Sequence, residues 1–124
     1  MKKKILIVDD EERIVVILQA RLESKGYTTL KAGNGHEALE LIQKEKPDLI
    51  LLDVRMPKMD GYTFLNSLKQ IPNADDIPII VCTAQGKVED LFVQRDVVDF
   101  VTKPFDTQSL LEKIKNTIGE APLV

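Results

Sequence analysis

The chain has 124 residues, enough for one domain that buries roughly 65% of its unfolded surface, so a second domain is not expected. With 44% apolar and 30% charged residues it has the composition of a globular protein, which excludes intrinsic disorder and a disulfide scaffold. Seventeen Lys and Arg against twenty Asp and Glu give a net charge of -3, which does not suit a chain that neutralises many phosphates. Direct nucleic-acid binding is therefore disfavoured. The single cysteine, Cys82, sits in the apolar run Ile79 to Cys82 and is expected to be buried as a small hydrophobe. Met1 Lys2 Lys3 Lys4 has the charge of an export signal, but only Ile5 to Val8 follow before two aspartates, too short an apolar region. No stretch reaches transmembrane length, and a soluble cytoplasmic protein without a membrane partner is the expectation.

Taken in chain order, short apolar runs at Ile5 to Val8, Leu49 to Leu52, Ile79 to Cys82 and Phe100 to Val101, with a mixed run at Tyr27 to Ala32, read as strands. Continuous apolarity in the first, third and fourth runs implies cover on both faces, as in parallel strands between helices. Helical stripes separate them: Ile14, Ile17, Leu18 and Leu22; Ala38, Leu39, Leu41 and Ile42; Phe64, Leu65 and Leu68; Leu91 and Phe92; Leu110, Leu111, Ile114 and Ile118. Asn34 with Glu37 three residues on forms a capping box, Asp60 precedes a helix at Gly61 to Gln70, and Asp106 or Thr107 precedes the last helix. Gly26, Pro47, Pro72 and Gly119 mark helix ends.

Five repeats of strand then helix, joined by right-handed crossovers, give an α/β fold with a doubly wound five-stranded parallel sheet. In such sheets the chemistry sits at the carboxyl ends of the strands, where strand order reverses. The residues found there are Asp9 and Asp10 after strand one, Asp53 after strand three, Thr83 after strand four, and Lys103 Pro104 after strand five. Carboxylates about 4 Å apart repel by roughly 4 kcal/mol at an effective dielectric of 20, so a cation must offset them. Lys103 supplies one charge, and the all-oxygen donor set suits Mg²⁺. No histidine or cysteine completes a zinc site; His36, the only histidine, lies at a helix start and reads as a surface residue.

A carboxylate at a strand end beside a divalent cation is a competent nucleophile toward phosphorus, and Asp53 is the candidate, giving an acyl phosphate. Charge on the transferring group spreads over three oxygens, which the metal, Lys103 and the Thr83 hydroxyl can share. Each residue alone has a structural reading: Asp10 as a helix cap, Lys103 Pro104 as a turn, Thr83 as a β-branched strand residue. The rival class is a binding module, either an interaction domain that never turns over phosphate, against which the retention of every chemical residue argues, or a flavodoxin-like cofactor binder, which the segment Asp9 Asp10 Glu11 Glu12 disfavours because it offers no glycine-rich loop to cradle an anion. A haloacid-dehalogenase-type phosphatase would need an aspartate where Arg55 stands.

These strings resemble the receiver domain of two-component response regulators, the CheY-like proteins. The resemblance is carried by Ile5 to Glu11, Asp48 to Gly61, Pro78 to Ala84 and Asp99 to Phe105, and it spans nearly the whole chain. It implies strand order 2-1-3-4-5 and a receiver domain over residues 1–119; residues 120–124 read as a loose tail or the start of a linker, which fits a single-domain regulator or, slightly favoured, a piece of a multidomain protein. Asp53 then corresponds to the phosphoacceptor. Asp10, Asp53 and the backbone carbonyl of Arg55 correspond to direct Mg²⁺ ligands, with Asp9 acting through water. Thr83 corresponds to the switch hydroxyl, Phe100 to the aromatic switch, and Lys103 to the phosphate-binding lysine, with a cis bond to Pro104. Arg55 and Gln85 fall where residues tune autodephosphorylation. The implied partners are a sensor histidine kinase or phosphotransfer protein, and an effector on the face of the fourth helix, fifth strand and fifth helix.

The sequence departs from the family pattern at Asp96 Val97 Val98 Asp99, where relatives usually read Gly Ala Asp Asp, and Gly86 to Asp99 is a couple of residues short. The fourth helix and the partner face are where an alteration is expected.

Overall fold

The computed structural model describes residues 3–53, 61–72, 74, 76–83, 97–102 and 106–119. Five strands, β1 (Lys4–Val8), β2 (Thr28–Ala32), β3 (Leu49–Asp53), β4 (Ile79–Thr83) and β5 (Val97–Thr102), form one sheet in the order β2-β1-β3-β4-β5. All four pairings are parallel. The helices are α1 (Glu12–Ser24), α2 (Gly35–Glu45), α3 (Gly61–Leu68) and a C-terminal helix (Thr107–Ile118). The doubly wound architecture and strand order expected from the sequence are those observed. The helix expected around Leu91 and Phe92 lies outside the described residues, as does Asp60.

Alternation along each strand divides the core in two. Leu6, Val8, Ile50, Leu52, Ile79 and Val81 pack with Ala38 and Ile42 of α2 and with Phe64 and Leu68 of α3. Their neighbours Ile5, Ile7, Leu49, Leu51, Ile80 and Cys82 pack on the opposite face with Val15, Leu18 and Leu22 of α1 and with Leu110 and Ile114 of the C-terminal helix. Every residue of β3 is buried, the property that made its sequence uniformly apolar up to Asp53. Cys82 is buried and in no disulfide, and His36 is exposed, as the sequence suggested.

The α1 stripe differs from the expected one. Its buried residues are Val15, Leu18 and Leu22, spaced three and four apart; Ile14 is partly buried, while Ile17 is 55% exposed and Val16 61%. Residues 14–18 are all apolar, so periodicity alone does not select which of them faces the sheet.

Helix ends follow local chemistry. Asn34 caps α2 by accepting from the Glu37 amide at 3.0 Å, but the Glu37 carboxylate reaches back to the Gly33 amide, one residue before the cap. At the other end of α2, Lys46 takes a left-handed conformation (φ 48°), since a residue before proline is disfavoured in the right-handed helical region. The C-terminal helix is capped by Asp106, which accepts from the Gln108 amide at 3.2 Å. None of the described helices is long and apolar enough to cross a membrane.

Between β4 and β5 the register slips: Ile79 pairs with Val97 but Ile80 with Asp99, leaving Val98 as an extra residue. The irregularity falls on the very segment that departs from the family pattern. It lies at the start of β5, and pairing is regular from Asp99 to Thr102, so the end of the strand is delivered to the carboxyl edge undisturbed.

Candidate functional site

β1 and β3 are neighbours at the centre of the sheet, on either side of the point where strand order reverses. Asp9 and Asp10 follow β1, and Asp53 is the last residue of β3. The fold thus brings Asp53 to the adjacent pair Asp9 and Asp10, more than forty residues earlier in sequence. One carboxylate oxygen from each of Asp9, Asp10 and Asp53 lies within 4.8 Å of the others. Asp9 and Asp53 are each only 5% exposed, whereas Asp10 is exposed.

At that separation each pair repels by at least about 3.5 kcal/mol at an effective dielectric of 20. Burial of two of the three reduces the screening that would lower this figure. Such an arrangement is held by the surrounding fold rather than by its own contacts. The Asp9 amide donates to the Ala32 carbonyl at 3.0 Å, and an oxygen of its carboxylate accepts from the Glu11 amide at 2.9 Å. Asp10 is not the helix cap that one structural reading allowed: the N-cap of α1 is Glu11, whose side chain makes no capping hydrogen bond.

Hard, charged oxygen donors clustered at this spacing fit Mg²⁺, and neither histidine nor cysteine is among them. The donor set therefore passes the chemical test for the ion that the sequence implied.

Of the other expected residues, Thr83 ends β4, its backbone paired with Thr102 of β5, and Phe100 pairs with Val81. Thr83 is thus on the same edge as Asp53, whose partner in β4 is Cys82. Arg55, Gln85, Lys103 and Pro104 lie outside the described residues. The sequence reading did not include the Glu11 amide. A local cue exists nonetheless, because an aspartate two residues before a helix N-cap is a common acceptor for the amide two positions on.

Residues 5–115 match the family model of the response regulator receiver domain. The alkaline phosphatase synthesis transcriptional regulatory protein PhoP of Bacillus subtilis is 43% identical over 117 residues, covering 93% of this chain and 48% of that protein. Sporulation initiation phosphotransferase F of the same organism is 37% identical over 117 residues, 93% of either chain. The fold is also that of the receiver domain of sensor histidine kinase PA1611 from Pseudomonas aeruginosa, solved with a magnesium ion in its active-site cleft. That structure superposes with a TM-score of 0.85 at 28% identity, covering 97% of this chain and 100% of that one. The chain spans about half the length of several of the curated relatives it matches. By this match, and by the carboxylate cluster at the switch point of its sheet, the chain belongs to the response regulator receiver domains, the phosphoacceptor modules of two-component signalling.

Proposed function

We propose that Asp53 is the phosphoacceptor of this domain, and that a sensor histidine kinase or phosphotransfer protein is its donor. A carboxylate oxygen of Asp53 bonds to phosphorus as the donor's phosphorus–nitrogen bond breaks, and the nitrogen keeps the electron pair. Asp9, Asp10, Asp53 and the backbone carbonyl of Arg55 would hold Mg²⁺, which supplies charge neutralisation for the approaching phosphoryl group. Lys103 would neutralise a second oxygen and the Thr83 hydroxyl would bond a third. The observation that carries this reading is the mutual approach of three carboxylate oxygens within 4.8 Å at the carboxyl edge.

The domain catalyses its own modification but acts mainly as a switch. A phosphoryl group at Asp53 adds charge and acceptor oxygens, favouring the conformation in which Thr83 has moved toward it and Phe100 has turned inward. The partner surface that changes is that of the fourth helix, fifth strand and C-terminal helix. A cytoplasmic location follows from a kinase donor. The relatives of twice this length support the domain being one part of a regulator, with residues 120–124 leading into a linker. A protein donor must rest on the surface around the acidic edge. α1, which leaves that edge, carries the exposed side chains Val16 and Ile17, apolar surface that such a donor would cover.

Acetyl phosphate tests the acceptor directly. Wild-type protein gains one phosphoryl group in the presence of Mg²⁺, and Asp53→Asn gains none. Undiminished labelling of the variant would refute the assignment.

A further inference from the structure

The hydrogen bond from the Glu11 amide to the Asp9 carboxylate, 2.9 Å long, has a consequence for how the site is assembled. Asp9, like Asp53, has reason to move. It is 5% exposed, its oxygen lies within 4.8 Å of those of Asp10 and Asp53, and rotation toward water would relieve both repulsion and desolvation. Two backbone groups oppose that rotation. The Ala32 carbonyl at the end of β2 fixes the main chain of Asp9, and the Glu11 amide at the start of α1 fixes the carboxylate. The donor is main-chain, with φ -89° and ψ 97°, and belongs to the N-cap residue, whose carbonyl already accepts from the Ile14 and Val15 amides. Its orientation is therefore set by α1, and α1 is set by Val15, Leu18 and Leu22 packed on the sheet.

We propose that the backbone amide of Glu11 is the positioning group of the metal site. It holds the Asp9 carboxylate within reach of Asp10 and Asp53 so that a divalent cation meets a set of oxygens already assembled. The proposal rests on the metal-dependent reading of the cleft and adds to it the group that preorganises the cluster. Outer partners of this kind commonly change metal affinity by 10- to 100-fold when removed.

The test separates the amide from the side chain. Glu11→Pro deletes the N–H, and proline is tolerated at helix starts; Glu11→Gln removes the same charge and keeps the N–H. Magnesium chloride is titrated calorimetrically into each full chain, and melting temperature is measured without metal. The expected result is a dissociation constant about 10-fold weaker for Glu11→Pro and within about twofold of wild type for Glu11→Gln. A merely structural role would lower the metal-free melting temperature of Glu11→Pro and leave its Mg²⁺ affinity unchanged. Affinity within twofold of wild type overturns the proposal. If circular dichroism shows that the proline variant has lost its helices, the glutamate α-hydroxy acid at position 11, which replaces the amide by an ester, takes its place under the same criterion. Failure of the wild type itself to bind Mg²⁺ would instead refute the reading of the cleft, and the proposal with it.

Discussion

The two edges of the sheet use similar residues to opposite ends. At the amino edge charges are distributed and matched. The Lys4 ammonium pairs with Glu45 at 3.3 Å and also donates to the Glu45 carbonyl, while the Lys4 amide donates to the Asp48 carboxylate. Lys3 donates to the Ile118 carbonyl at the end of the C-terminal helix, where a cation suits the helix dipole, and the Tyr27 hydroxyl donates to the Gly119 carbonyl at 2.8 Å. At the carboxyl edge, three like charges are drawn together, and two of them are buried. One edge ties elements to one another. The other stores repulsion that a cation and a phosphoryl group can use, and the difference marks where stability gives way to chemistry.

The contrast can be broken first at the core that supports both edges. Leu51→Ala removes a buried side chain from the centre of β3 and should cost about 2 to 5 kcal/mol in chemical denaturation; a smaller cost would mean that the two helical layers do not depend on the strand between them. Next comes the metal. Mg²⁺ at 100 times its dissociation constant should stabilise the wild type by about 2.7 kcal/mol, read as a rise in melting temperature of about 10 °C. Equal melting with and without Mg²⁺ would remove the site.

Asp10→Asn sharpens the comparison, because relieving one like charge should raise metal-free stability. Asp10 is exposed, so the gain is discounted for screening to about 1 kcal/mol, and the response to Mg²⁺ should shrink. A variant less stable than the parent without metal would contradict stored repulsion. Val16→Ser with Ile17→Ser should slow phosphotransfer from the cognate kinase about tenfold and leave labelling by acetyl phosphate unchanged; equal slowing with both donors would place the defect in the site instead. The smallest effect belongs to the amino edge. Lys4→Met breaks a half-exposed ion pair and should cost no more than about 1 kcal/mol, diminishing with salt, with Mg²⁺ affinity unaltered.

Much of this was readable from residues alone, for identifiable reasons. The runs of β1, β3 and β4 are buried on both faces and therefore apolar without interruption, and the polar residues that close them, Asp9 and Asp10, Asp53 and Thr83, stand out as punctuation. The convergence of Asp9, Asp10 and Asp53 follows from parallel strand order. The face of α1 was not legible, because five consecutive apolar residues satisfy several stripes and only packing chooses Val15 over Ile17. The extra residue at Val98 depends on how β4 and β5 meet, which a local pattern does not encode. The main-chain donor at Glu11 was half legible: an aspartate two residues before an N-cap suggests such a bond, but every residue except proline carries an amide, and the fold shows that this one meets the Asp9 carboxylate.

The central claim is that this crowded edge transfers phosphorus to one particular oxygen-bearing side chain. Acetyl phosphate treatment followed by borohydride reduction, which converts an aspartyl phosphate to homoserine, locates that side chain by peptide mass. Homoserine at position 53, formed with Mg²⁺ and absent without it, is the expected result; homoserine at another position, or equal yield in chelator, would contradict the account.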